Sequence, residues 1–265
     1  MAMNRIDQKF KELRQQNKKA FIAFITAGDP SLKATEDLVL SFENSGVDIV
    51  ELGVPFSDPL ADGPTIQASS QRALKNHVTL NKILSVVSRI RKKSQMPIAL
   101  MTYYNPVFHF GEAAFARKAK ESGVDGVIIP DLPPEEAGVL IQAARKNNLA
   151  AIFFLSPTTT KKRMKTIIRA ASGFLYYVSL TGVTGARQML PRHIARDVKM
   201  AKHFTNKPIC VGFGVSTVAQ VKSIGRVADG VIVGSAIVNE IAKNKHKKTL
   251  IKDVSRFVSK LSGSL

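Results

Sequence analysis

Ala20-Phe-Ile-Ala-Phe-Ile-Thr26 and Val47-Asp-Ile-Val-Glu-Leu52 are short, nearly continuous apolar runs, and Lys33–Ser45 between them carries a helical pattern. A strand wet on one face alternates apolar and polar residues; a run that barely alternates is a strand buried on both faces, as in a parallel sheet covered by helices. The same unit recurs along the chain. Further strands are expected at Ile98–Thr102, Gly126–Ile129, Ala150–Leu155, Phe174–Val178, Ile209–Gly212 and Gly230–Val233. Helices are expected between them at Leu80–Lys93, Glu112–Ser122, Pro134–Asn147, Lys161–Ser172, Pro191–His203, Val218–Val227 and Ala236–Lys243. Ser31, Thr160 and Pro191 are helix-start signals, and Ser45–Gly46 and Ser122–Gly123 are helix-stop signals. Eight strands alternating with eight helices describe an α/β fold, a single-domain (β/α)8 TIM barrel, with extra helices at Arg5–Gln16 and Lys248–Leu261. An open doubly wound sheet is the rival. The barrel is preferred because the units fill the whole length with no linker or break in composition.

The chain has 265 residues, 45% of them hydrophobic and 22% charged, which suits a folded domain with a large core and excludes a wholly disordered or fibrous chain. One cysteine, Cys210, excludes an intramolecular disulfide and a multi-thiolate zinc site; it sits in an apolar strand and reads as core. The five histidines show no ligand spacing, so no metal site is expected. No apolar run approaches the ~20 residues that cross a membrane. Met1–Lys11 is polar, without the apolar stretch of a secretory signal, so a cytoplasmic protein is expected. The net charge of +19 invites a nucleic-acid reading. The basic residues are scattered over helical segments without interleaved aromatics, and solvated helix faces are the simpler account.

Three features carry chemistry. Glu51 stands inside an apolar strand, where an unpaired charge costs several kcal/mol; it is paired, protonated or functional. At the C-terminal end of a barrel strand, function is favoured, with burial raising its pKa towards acid–base work. Next comes Pro55-Phe-Ser-Asp-Pro-Leu-Ala-Asp-Gly-Pro64, a stiff loop whose only charges are Asp58 and Asp62. Each aspartate alone suits a turn; both together, close after Glu51, suit a site. Last, Gly182-Val-Thr-Gly185, Gly212-Phe-Gly214 and Gly234-Ser235 follow the sixth to eighth strands, where backbone N–H groups and a helix N-terminus would hold a phosphate. The stretches Gly53–Thr79 and Ser179–Leu190 are long for connecting loops, and Pro55–Pro64 and Ser179–Leu190 are expected to form a pair of lids, the second the more mobile.

Six segments together resemble one family across nearly the whole chain. They are Phe24-Ile-Thr-Ala-Gly-Asp-Pro30, the run from Glu51 to Gln67, Tyr103-Tyr-Asn-Pro106, Pro130-Asp-Leu-Pro133, the run from Tyr176 to Gly185, and Gly212-Phe-Gly-Val-Ser216. Their order and wording resemble the tryptophan synthase α chain. The resemblance implies cleavage of indole-3-glycerol phosphate to indole and glyceraldehyde 3-phosphate, with no cofactor. It places the catalytic carboxylates at Glu51 and Asp62. Substrate binding would fall on Phe24, Met101, Tyr103, Tyr176, Thr184 and Ile232, with Gly185, Gly214, Gly234 and Ser235 holding the phosphate. A β-chain partner in an α2β2 assembly would face Asp58, Asn105, Asp131 and Pro133. The basic charge departs from the family's usual near-neutral or acidic balance. Two rivals remain at this stage: another phosphate-binding barrel enzyme, which would want a catalytic lysine at a strand end, and a non-enzymatic binder of a β partner or of nucleic acid.

Overall fold

The computed structural model describes residues 3–178, 192–212 and 214–265. Eight strands, β1 (Ala20–Thr26), β2 (Ile49–Gly53), β3 (Ile98–Met101), β4 (Gly126–Ile128), β5 (Ala150–Leu155), β6 (Leu175–Val178), β7 (Ile209–Gly212) and β8 (Gly230–Val233), close into a barrel in sequence order. Every pairing is parallel, including the closure of β1 on β8. The helices in chain order are α1 (Arg5–Gln15), α2 (Leu32–Glu43), α3 (Pro64–Lys75), α4 (Leu80–Arg91), α5 (Tyr104–Phe110), α6 (Glu112–Ser122), α7 (Gly138–Lys146) and α8 (Lys161–Ala170). They continue with α9 (Arg192–Lys202), α10 (Val218–Gly225), α11 (Ser235–Asn244) and α12 (Leu250–Ser262). The barrel and its two extra helices, α1 and α12, are as the sequence predicts.

Alternation along the strands sorts the core into two layers. Phe21, Ala23 and Ile25 of β1 face the helices, whereas Ala20 and Ile22 face the barrel interior with Ile49, Ala99, Ile152 and Cys210. Helix α1 lies across the N-terminal end of this interior. Its Ile6, Phe10 and Leu13 join the inner cluster, and the Phe10 ring meets Phe174 at 5.8 Å. Caps fix the outer helices. Ser31 accepts from the Ala34 N–H at 3.0 Å at the start of α2. Gly123, at φ +93, ends α6 in the left-handed region that favours glycine.

Three boundaries depart from the sequence reading. The long stretch after β2 is no open loop, because α3 occupies most of it. The buried face of α3 is Ser69, Ser70 and Ala73, too polar to show a helical hydrophobic period. That face is held by Asp29, whose carboxylate accepts from Ser69 Oγ at 2.5 Å, Arg72 Nε at 2.9 Å and Arg72 Nη2 at 2.6 Å. Helix α5 was not expected either; it is a seven-residue helix of about two turns with a proline inside it. Helix α7 begins at Gly138 rather than Pro134, since the Glu136 and Ala137 N–H groups both close turns onto the Pro133 carbonyl.

Candidate active site

Inward positions at the C-terminal ends of the strands converge on one cleft. Phe24 and Thr26 come from β1, Gly53 from β2 and Met101 from β3; Val54, Asp62, Ile66, Ser70 and Tyr103 complete its lining. In the register, Phe24 stands opposite Glu51 and Thr26 opposite Gly53. Glu51 is therefore one inward step deeper than Gly53 on the same strand. Gly53 is needed beside Phe24, because a Cβ there would come within 2.7 Å of the Phe24 ring.

Glu51 is 0% exposed, and among the described residues neither carboxylate oxygen has a hydrogen-bond partner. Among the described residues, then, no partner makes Glu51 a structural acid. Burial pushes its pKa up to about 8, and the negative charge of Asp62 adds to the rise. Asp62, half-buried on the loop between β2 and α3, is raised by burial to about 6, with a hydrogen bond from Tyr103 pulling the other way. Two carboxyl groups in one site are thereby set about two pH units apart, which separates an acid form from a base form near neutrality.

The remaining expectations divide. Tyr176 stands on β6 with its ring 4.8 Å from Phe154. Burial, then the charge of Glu51, hold its phenol well above the ordinary value, so it stays neutral. Its register partner on β7 is Cys210, and Gly212, two residues further along, is glycine for a steric reason, since a Cβ at 212 would meet the Tyr176 hydroxyl at 2.5 Å. Ile232 is buried in the inner cluster on β8. Gly234 is the N-cap of α11, beside Phe24, and Ser235 opens that helix; no side-chain cap occupies its N–H groups. Gly214, at φ +46, has open space around its Cα. Thr184, Gly185 and the proposed lid 179–190 lie outside the described residues.

Asp58 and Asn105 are exposed, as a partner surface requires, and Pro133 is half-buried. Asp131 is exposed too but has work within the chain: its Oδ1 accepts from the Tyr104 N–H at 2.9 Å, at the start of α5. Sequence reasoning missed Leu60 and Phe108, large apolar side chains left 94% and 66% exposed on the loop after β2 and on α5. It also missed Thr26, whose hydroxyl is buried in the cleft wall without a partner among the described residues. The available signal was parity, because Thr26 is two residues beyond the inward-facing Phe24.

The sequence pattern of the family "Tryptophan synthase alpha chain" matches residues 10–264. The chain belongs to this family. A tryptophan synthase alpha chain from Geotalea daltonii is 49% identical over 263 residues, covering 99% of each chain. Among solved structures, tryptophan synthase subunit alpha from Legionella pneumophila superposes with a TM-score of 0.92 at 38% identity, covering 99% of this chain and 98% of that one. The tryptophan synthase α2β2 complex of Pyrococcus furiosus contains a chain matched with a TM-score of 0.87 at 39% identity, over 92% of this chain and 98% of that one. Membership in the tryptophan synthase alpha chain family sets aside the open-sheet rival together with the nucleic-acid and lysine-dependent readings. Among the described residues no helix is long and apolar enough to cross a membrane.

Proposed function

We propose that this chain cleaves indole-3-glycerol phosphate to indole and glyceraldehyde 3-phosphate, with Glu51 and Asp62 as its catalytic carboxylates. The observation that carries the reading is Glu51: a fully buried carboxyl with no partner and a pKa of about 8, directly below the cleft. At neutral pH it holds its proton and delivers it to indole C3. The positive charge that results is shared with the ring nitrogen, and the Asp62 carboxylate, ionised above about 6, opposes it at the ring N–H. Glu51, now the base, takes the proton from the hydroxyl on the carbon attached to C3. That O–H pair becomes the aldehyde C=O, the C–C bond to C3 breaks, and its electrons restore the aromatic ring. Glu51 ends protonated, as it began, and no outside reductant or oxidant enters.

The exposed N–H groups at the start of α11, with Gly214 nearby in sequence on the preceding strand's loop, are read as the phosphate end of the site. Binding energy gathered there orients the reacting carbon at a distance. Phe24, Met101, Tyr103, Tyr176 and Ile232 are read as the walls around the indole. The chain works as one domain in the cytoplasm and pairs with a tryptophan synthase β chain in an α2β2 assembly. Asp58, Leu60, Asn105 and Phe108 form the surface offered to that partner, where two exposed apolar side chains gain from being covered. The test is indole release from indole-3-glycerol phosphate by the pure chain, alone and with a β chain. No indole under either condition would sink the reading.

A further inference from the structure

Asp62 reaches the cleft from a loop whose backbone is tied on the side nearer β2. Its own N–H donates to the Pro59 carbonyl at 3.0 Å, and the N–H of Ala61 donates to the Tyr103 hydroxyl at 2.9 Å. On its other side stands Gly63, the N-cap of α3. Gly63 has no side chain to cap the helix, and no described residue lies within 4 Å of where its Cβ would stand. Asp62 and the helix are therefore joined through an unpacked glycine, the residue with the widest choice of backbone torsions. A side chain crosses that joint. Gln67, on the first turn of α3, donates from Nε2 to the Asp62 carbonyl at 2.8 Å.

The helix is a firm base for this contact. Asp29 holds Ser69 and Arg72, and Asn76 Nδ2 donates to the Gly28 and Pro30 carbonyls at 3.1 and 2.8 Å. Helix α3 is thus fastened to the loop after β1, and it lends Ile66 and Ser70 to the cleft wall. We infer that Gln67 is a positioning residue: it carries the fixed orientation of α3 across Gly63 to Asp62 and so aims the Asp62 carboxylate into the cleft. The inference rests on the reading of Asp62 as catalytic and adds a residue to it. Gln67 is exposed and fills no core, so its loss removes the bridge and leaves the packing of the barrel alone.

The experiment compares wild type with Gln67→Met, which keeps the length of the side chain and removes the donor, for the chain alone and with a β chain. In indole release, kcat should fall about three- to tenfold, the range an ordinary hydrogen bond covers, with KM within about twofold of wild type. The same substitution in an Asp62→Asn background should cost almost nothing further, because it acts through the carboxylate already removed. A loss by the same factor in both backgrounds overturns the inference. A carbon-13 NMR titration of the Asp62 carboxyl, its signal assigned by Asp62→Asn, gives a reading independent of turnover. Burial holds Asp62 at about 6, so a carboxylate released towards water should titrate about half a pH unit or more lower, in the direction of its ordinary 3.8. Glu51 and the Tyr103 and Tyr176 phenols, whose charges couple to Asp62 across the cleft, are untouched by the substitution. An unmoved midpoint overturns the inference whatever the kinetics. A wild-type chain that releases no indole would count against the cleavage reading, and the midpoint alone would then decide the role of Gln67.

Discussion

Glu51 and Asp125 are both carboxylates with 0% of their surface in water, and the barrel surrounds them in opposite ways. Asp125 lies at the N-terminal end, just before β4. Arg5 Nη1 reaches its Oδ1 at 2.8 Å; Arg91 Nη2 and the Ile98 N–H reach its Oδ2 at 3.1 and 2.9 Å. It ties α1, α4 and the start of β3 to one point. Glu51 lies towards the C-terminal end and has no donor among the described residues. A buried acid that holds a fold is supplied with partners, whereas one that moves protons is denied them and keeps a proton of its own. Burial alone does not separate the two; the count of partners does.

Substitutions test this contrast, and the largest effect belongs to Glu51→Gln. Indole release should fall by about 10²–10⁴-fold with the fold intact. Its stability should move the other way. The folded-state pKa of about 8 lies above the ordinary glutamate value of 4.5, so between these the native state binds a proton the unfolded chain does not. Wild-type stability is therefore lost as pH rises through that window, and Glu51→Gln escapes the loss. Thermal melts from pH 5 to pH 9 should show the variant gaining on wild type; parallel curves would refute the assignment. Asp125→Ala should do the reverse, costing about 3–5 kcal/mol in urea unfolding, because Arg91 is left buried and uncompensated. Its turnover per folded molecule should match wild type.

Thr26→Val sharpens the comparison on a neutral group. A partnerless buried hydroxyl contributes little to the fold, so the near-isosteric valine should leave stability unchanged or raised by up to about 1 kcal/mol. If the hydroxyl serves a ligand, KM for indole-3-glycerol phosphate rises several-fold; a KM equal to wild type would make Thr26 a mere wall. The smallest change is Asp58→Ala, which should alter stability by no more than about 0.5 kcal/mol and blunt the rise in α turnover produced by a β chain. Equal activation of both proteins would remove Asp58 from the coupling.

The strands were legible because each is buried on both faces, and continuous apolar runs survive without knowledge of neighbours. Helix α3 was not, because Ser69 and Ser70 fill its inner face and their partner, Asp29, is 40 residues from Ser69. Glu51 stood out by contrast with its strand, but its lack of partners is a three-dimensional fact. Likewise the hydrogen bond from the Ala61 N–H to the Tyr103 hydroxyl joins residues that sequence spacing does not. Gly234 and Ser235 were readable as a turn opening a helix; the open N–H groups needed the structure.

Helix α1 has a consequence for traffic. With Ile6, Phe10 and Leu13 wedged into the inner cluster, the barrel is a cup with a floor rather than a tube. Any molecule that reaches Glu51 arrives through the rim and departs by it. Substrate and both products must share that doorway, so the order in which products leave governs when the next substrate enters. A partner seated on the rim would also meet each departing indole before the bulk solvent does.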